Sequence, residues 1–146
     1  MEAMRSSRKA LQDFLNECVR RYPIDIKKLA LLGFSQGGVM AYGLGLAEPQ
    51  RFAALAALSS WLPPEFVGGS FAGEGTKALP ILVQHGARDS MIEVGRAPDS
   101  VERLRQLNVP VTYREYDMDH EITPRSLTDL SAWLQEKVLS PILRAT

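Results

Sequence analysis

The elements legible in this chain predict an α/β fold, a mostly parallel sheet with helices on its faces. Short apolar runs alternate with segments of helical length that are either amphipathic or built of small residues. Pro, Gly and Asp stand at the breaks, where strands and helices stop. The chain has 146 residues, enough for one core and too few for two, so residues 1–146 are read as a single domain.

Residues 3–22 place Met4, Leu11, Phe14, Leu15, Cys18, Val19 and Tyr22 at three- and four-residue intervals, an amphipathic helix ended by Pro23. Residues 29–32 are continuously apolar, as expected of a strand buried on both faces of a parallel sheet. Residues 37–48 are small or apolar and stop at Pro49, predicting a second helix. Residues 52–58 read as a second strand, residues 59–78 as loop, and residues 80–84 as a third strand. Residues 98–107 form a helix with Pro98 in its first turn, and residues 109–116 a fourth strand. Thr123-Pro124 caps a last helix whose apolar face is Leu127, Leu130, Trp133, Leu134 and Val138.

Composition narrows the function classes. Hydrophobic residues are 45% and charged residues 23%, a globular profile. Lys plus Arg and Asp plus Glu number 17 each, so no global field favours a polyanion, which argues against nucleic acid and anionic membranes as partners. Cys18 stands alone, which excludes an internal disulfide and permits a cytoplasmic setting. The N-terminus has no apolar core of a secretory signal. Residues 29–47 carry no charge and are just long enough to span a bilayer, with Gly33 and Gly37 at a small-xxx-small spacing. Five glycines with Ser35 and Gln36 inside the run suit a strand, a turn and a helix better, so no stable membrane insertion is expected.

The chemistry concentrates after the first strand. Gly33-Phe34-Ser35-Gln36-Gly37 matches the G-x-S-x-G nucleophile elbow, and its place between strand and helix is the context that motif requires. The turn crowds its own backbone, so glycines are expected two residues before and two after the serine. Ser35 would sit at a helix N-terminus, where the Gln36 N–H is free to donate to a developing oxyanion. A serine needs a base and an orienting acid, in the chain order Ser, acid, His. His120 follows the fourth strand and Asp89 the third; strand C-termini share one edge of a parallel sheet, so Ser35, Asp89 and His120 can converge. Asp117 and Asp119 are alternative acids, but neighbours of His120 in sequence are poorly placed to reach its outer ring nitrogen, and Asp89 is favoured. His85 is read as structural, bonded to loop backbone, and Cys18 as core. The Gly-rich run at 68–77 fails as a phosphate loop because it reads Gly-Thr-Lys and follows no clear strand.

Four segments together, Gly33-Phe34-Ser35-Gln36-Gly37-Gly38, Ala57-Leu58-Ser59-Ser60-Trp61-Leu62-Pro63, His85-Gly86-Ala87-Arg88-Asp89 and Tyr116-Asp117-Met118-Asp119-His120-Glu121-Ile122, resemble the phospholipase/carboxylesterase group of bacterial carboxylesterases and acyl-protein thioesterases. The resemblance implies a serine hydrolase of acyl esters or thioesters with Ser35 as nucleophile, His120 as base and Asp89 as acid, and with no metal or organic cofactor. It also implies that Trp61, Leu62, Met91 and Ile92 lie near the acyl pocket. Two positions depart from the family pattern. Glu93 follows Ile92 where the family usually has Pro, and Asp119 precedes the histidine where it usually has Gly, a change Asp survives because it tolerates a left-handed backbone.

The family's domain begins with further strands and a His-Gly loop that supplies a second oxyanion N–H, and nothing before Ala3 matches them. The expectation is therefore a partial, apparently N-terminally truncated α/β-hydrolase fold. One oxyanion donor of two would forfeit roughly 2.7–4 kcal/mol, about 10²–10³ in turnover. The first strand would become an exposed apolar edge open to homo-oligomerisation. A catalytically impaired remnant serving as a binding or oligomerising module is the alternative.

Overall fold

The computed structural model describes residues 2–68 and 71–139; residues 69 and 70 of the Gly-rich run lie outside the described residues. Four strands, β1 (Ala30–Phe34), β2 (Ala54–Leu58), β3 (Ile81–Gly86) and β4 (Val111–Tyr116), form one sheet in chain order with every neighbouring pair parallel. Helices α1 (Glu2–Arg21), α2 (Gln36–Ala47), α3 (Arg96–Gln106) and α4 (Pro124–Leu134) flank it. The element order is the one the sequence predicts.

The faces divide by the two-residue period of the strands. Leu55, Ala57, Ile81 and Val83 point to a core shared with α2, α3 and Leu62, Phe66, Phe71 and Leu79 from between β2 and β3, and Met4 and Leu15 of α1 pack against its rim. Ala54, Ala56, Leu58 and Leu82 point the other way, where Leu130 and Trp133 of α4 cover them. Three helices thus lie on one face and one on the other.

Several expectations are corrected. β1 is not buried on both faces: it is the outermost strand of the described sheet, and Leu32 is 53% and Phe34 37% exposed. The apolar stripe of α1 covers little, because none of its residues is fully buried and Phe14 and Tyr22 face solvent. Within the stretch read as loop, residues 59–68 and 71–78 are packed, with short 3₁₀ turns at Pro64–Val67 and Thr76–Ala78 and the buried rings of Phe66 and Phe71 stacked 4.4 Å apart. α3 begins two residues before Pro98; the first four N–H groups of a helix lack acceptors, so proline is tolerated there too. Leu127 is exposed rather than part of the covered face of α4.

The uncharged run at 29–47 divides among β1, a turn and α2, and no helix of the described residues is long and apolar enough to cross a membrane.

Candidate functional site

The parallel sheet delivers three loops to one edge. Ser35 follows β1, Asp89 lies three residues past β3, and His120 four past β4. Ser35 Oγ is 3.1 Å from His120 Nε2, and His120 Nδ1 is 2.9 Å from Asp89 Oδ2. A carboxylate can only accept, so Nδ1 carries the proton and Nε2 presents its lone pair to the Ser35 hydroxyl. The Phe34 ring packs against the imidazole, centroids 4.8 Å apart.

Ser35 adopts φ 56°, ψ −122°, a region a residue with a Cβ occupies only under strain. Its N–H donates to Leu58 O (2.8 Å) and its carbonyl accepts from Gly38 N–H (2.9 Å), which fixes the turn from both sides. The steric demand falls differently from the expectation. A Cβ on Gly33 would drive into the Gly37 carbonyl and one on Gly38 into Ser60, whereas a Cβ on Gly37 meets nothing. Gln36 is the first residue of α2, so its N–H has no acceptor one turn back and stands beside Ser35.

The Asp89 side chain has no exposed surface. Burial pushes its carboxyl up, but Ile92 N–H (2.7 Å), His120 Nδ1–H and Met91 N–H (2.9 Å) together outweigh burial and hold it below the ordinary carboxylate value. His85, fully buried, lies against the same carboxylate: its Nε2 is 2.8 Å from Ile92 O and 3.3 Å from Asp89 Oδ2. Both are acceptors, so Nε2 carries the proton, while Nδ1 is buried without a partner. The loop-backbone bond matches the structural reading of His85, and its approach to Asp89 is a contact that no motif in the sequence marks. The one available signal was that the two stand four residues apart across a turn.

The remaining site candidates separate. Trp61 is half-buried under the Arg96 guanidinium, 4.7 Å from its ring centroid. Leu62 has no exposed surface: its N–H donates to Ser100 Oγ (2.9 Å), its carbonyl accepts from Arg103 (2.9 Å), and its side chain joins the core, so it cannot touch a substrate in this conformation. Met91 is 72% exposed, and Ile92 is half-buried with its carbonyl held by His85. Asp117 faces Arg88 (2.7 Å) and Asp119 faces Ser90 (2.7 Å), both away from the imidazole Nδ1 that Asp89 occupies. Among the described residues no cluster of three or more His, Cys, Asp or Glu is placed to hold a metal ion. A cavity of about 1050 Å³ between β4 and α4, with Arg114, Tyr116, Asp129 and Trp133 in its wall, is not lined by Ser35, Asp89 or His120.

A strained serine turn at the C-terminal edge of a parallel sheet, with helices on both faces, is the architecture of part of an α/β-hydrolase. The chain belongs to the phospholipase/carboxylesterase family, whose profile matches residues 2–138. It is similar to acyl-protein thioesterase 1 of Mycosarcoma maydis, 32% identical over 123 residues that cover 81% of this chain and 51% of that protein. It is also similar to acyl-protein thioesterase 1 of Gibberella zeae, 29% identical over 118 residues, 77% of this chain and 49% of that protein. Among solved structures, a SOBER1 variant from Arabidopsis thaliana superposes with a TM-score of 0.82 at 21% identity, covering 93% of this chain and 65% of that one. The chain therefore spans about half the length of the two thioesterases it matches.

Proposed function

We propose that this chain carries the acyl-transfer site of a serine hydrolase acting on carboxylic esters or thioesters. The observation that carries the reading is the hydrogen-bonded series from Ser35 Oγ through His120 to Asp89, assembled from three loops at one sheet edge. Ser35 Oγ attacks the carbonyl carbon while His120 Nε2 takes its proton. The Gln36 N–H donates to the resulting oxyanion, favoured by the N-terminus of α2. Collapse expels the alcohol or thiol, which receives the proton from His120, and leaves an acyl-serine. Water, deprotonated by the same nitrogen, then releases the acid and restores Ser35. Asp89, ionised at neutral pH, keeps the imidazole in the tautomer this sequence needs and balances the imidazolium that forms. Trp61 and Met91, partly or largely exposed, are the side chains we assign to the acyl group, and the buried Leu62 backs them. The lone, half-buried Cys18 agrees with a cytoplasmic setting.

A fluorophosphonate probe tests the reading. The folded chain is expected to become labelled, and Ser35→Ala to abolish the label; absence of label on the folded wild-type chain sinks it.

One observation favours a second reading, a hydrolase-like module that associates through its sheet edge. β1 is apolar along its length, lacks a neighbour on one side of the described sheet and exposes Leu32 and Phe34.

A further inference from the structure

The loops bearing Asp89 and His120 are also joined by a contact that uses neither residue's side chain. Asp119 immediately precedes His120, and Ser90 immediately follows Asp89. A single oxygen, Asp119 Oδ1, accepts from Ser90 N–H (2.7 Å), Ser90 Oγ–H (2.8 Å) and His120 N–H (2.7 Å). Backbone bonds bring the two loops into register beneath it. Ala87 N–H donates to Tyr116 O (2.7 Å) and Arg88 N–H to Met118 O (3.1 Å), and Gly86 lies so near the carbonyls of Met118 and Asp119 that no side chain fits there.

The neighbouring carboxylates are engaged elsewhere: Asp117 pairs with Arg88, and Glu121 accepts from Asp119 N–H (2.9 Å). Hydrogen bonds to an ionised carboxylate are roughly twice as strong as neutral ones. Ser90 N–H first, then Ser90 Oγ–H and His120 N–H, hold the Asp119 carboxyl below its ordinary value, with Arg88 adding to them. Left-handed backbone is not why Asp stands here. Among the described non-glycine residues positive φ occurs at Ser35, Ser59 and Asn108, and not at Asp119.

We infer that Asp119 is a positioning residue whose carboxylate clamps the Asp89 loop to the His120 loop and so sets the distance from Asp89 Oδ2 to His120 Nδ1. The inference rests on the reading of Ser35, His120 and Asp89 as the reacting and orienting groups. Both ends of the clamp are one residue from the pair they align, so play in either loop passes directly into that 2.9 Å bond. A misplacement of about 1 Å is worth on the order of 100-fold in rate.

The test uses the full chain and two readouts, the low-field proton resonance of His120 Nδ1–H and the rate of Ser35 labelling by a fluorophosphonate. Asp119→Ala, shown to be folded by near-ultraviolet circular dichroism, is expected to broaden or lose the resonance and to slow labelling roughly 10- to 100-fold. Asp119→Asn keeps the acceptor oxygen and should recover most of both. Ser90→Ala should have an effect alone and none added to Asp119→Ala, as members of one contact are not additive. An unchanged resonance and rate in folded Asp119→Ala overturns the clamp. Should that variant fail to fold, Ser90→Ala is read by the same resonance, where broadening supports the clamp and an unchanged signal overturns it. If wild-type chain never labels yet its resonance is lost in Asp119→Ala, the hydrolase reading fails while the clamp stands.

Discussion

Asp89 combines its hydrogen bond to His120 with a pH-dependent contribution to stability. Its oxygens receive Met91 N–H, Ile92 N–H, His120 Nδ1–H and the more distant His85 Nε2–H, and its folded carboxyl lies below the ordinary 3.8. A depressed folded value means that the ionised form is favoured by folding. The stabilisation is complete above the ordinary value and disappears as pH falls through the lower, folded one. Melting temperatures followed from about pH 6 to about pH 2 should therefore fall less steeply for Asp89→Asn than for wild type, with the two converging in acid, where neither side chain is charged. Parallel curves would remove Asp89 from the acid response. At this scale the sequence exposed the three members of the hydrogen-bonded series but not the contacts around them. Ser35, Asp89 and His120 were readable because motif order and strand ends locate them. The approach of His85 to Asp89 and of Asp119 to Ser90 depends on how two loops lie across each other, which no periodicity encodes.

Among the elements, the turn between β1 and α2 departs most from its sequence reading. The G-x-S-x-G pattern suggests two equivalent glycines, yet only the first is sterically required, because Gly33 lies under the Gly37 carbonyl while position 37 opens to free space. Gly33→Ala is expected to cost several kcal/mol, about 3 or more, since backbone must move to admit the methyl group. Gly37→Ala should lie within about 1 kcal/mol of wild type or above it, alanine being the better helix former. Urea titrations of both variants decide the matter, and equal losses would contradict the geometry. Strand order and helix count were legible because apolar runs and proline breaks are local signals. The packing of residues 59–68 and 71–78 was not, since Phe66 and Phe71 stand without a period and meet in a core that α2 and α3 complete.

For the whole molecule, the two edges of the described sheet are unlike. β4 exposes Arg114 and Glu115, charges that oppose pairing with another strand, whereas β1 offers Leu32 and Phe34. On the second reading, in which the β1 edge of this chain associates, sedimentation velocity should show a dimer whose fraction grows with concentration, and Leu32→Lys should return it to monomer; a wild-type monomer at tens of micromolar would refute that reading. The run at 29–32 reads as a strand buried on both faces, and its place at the edge of the described sheet is a matter of which strands pair side by side, which no local pattern encodes. If two copies meet at β1, rotational symmetry restricts what they can form. A two-fold axis sets the paired strands antiparallel, and the charged outer edges stop further growth, so association closes at two copies instead of extending into a fibre. Antiparallel pairing also turns one copy end for end relative to the other. The Ser35 turns would then open on opposite rims of the joined sheet, each with its own approach from solvent, so that joining the scaffolds would leave two independent sites.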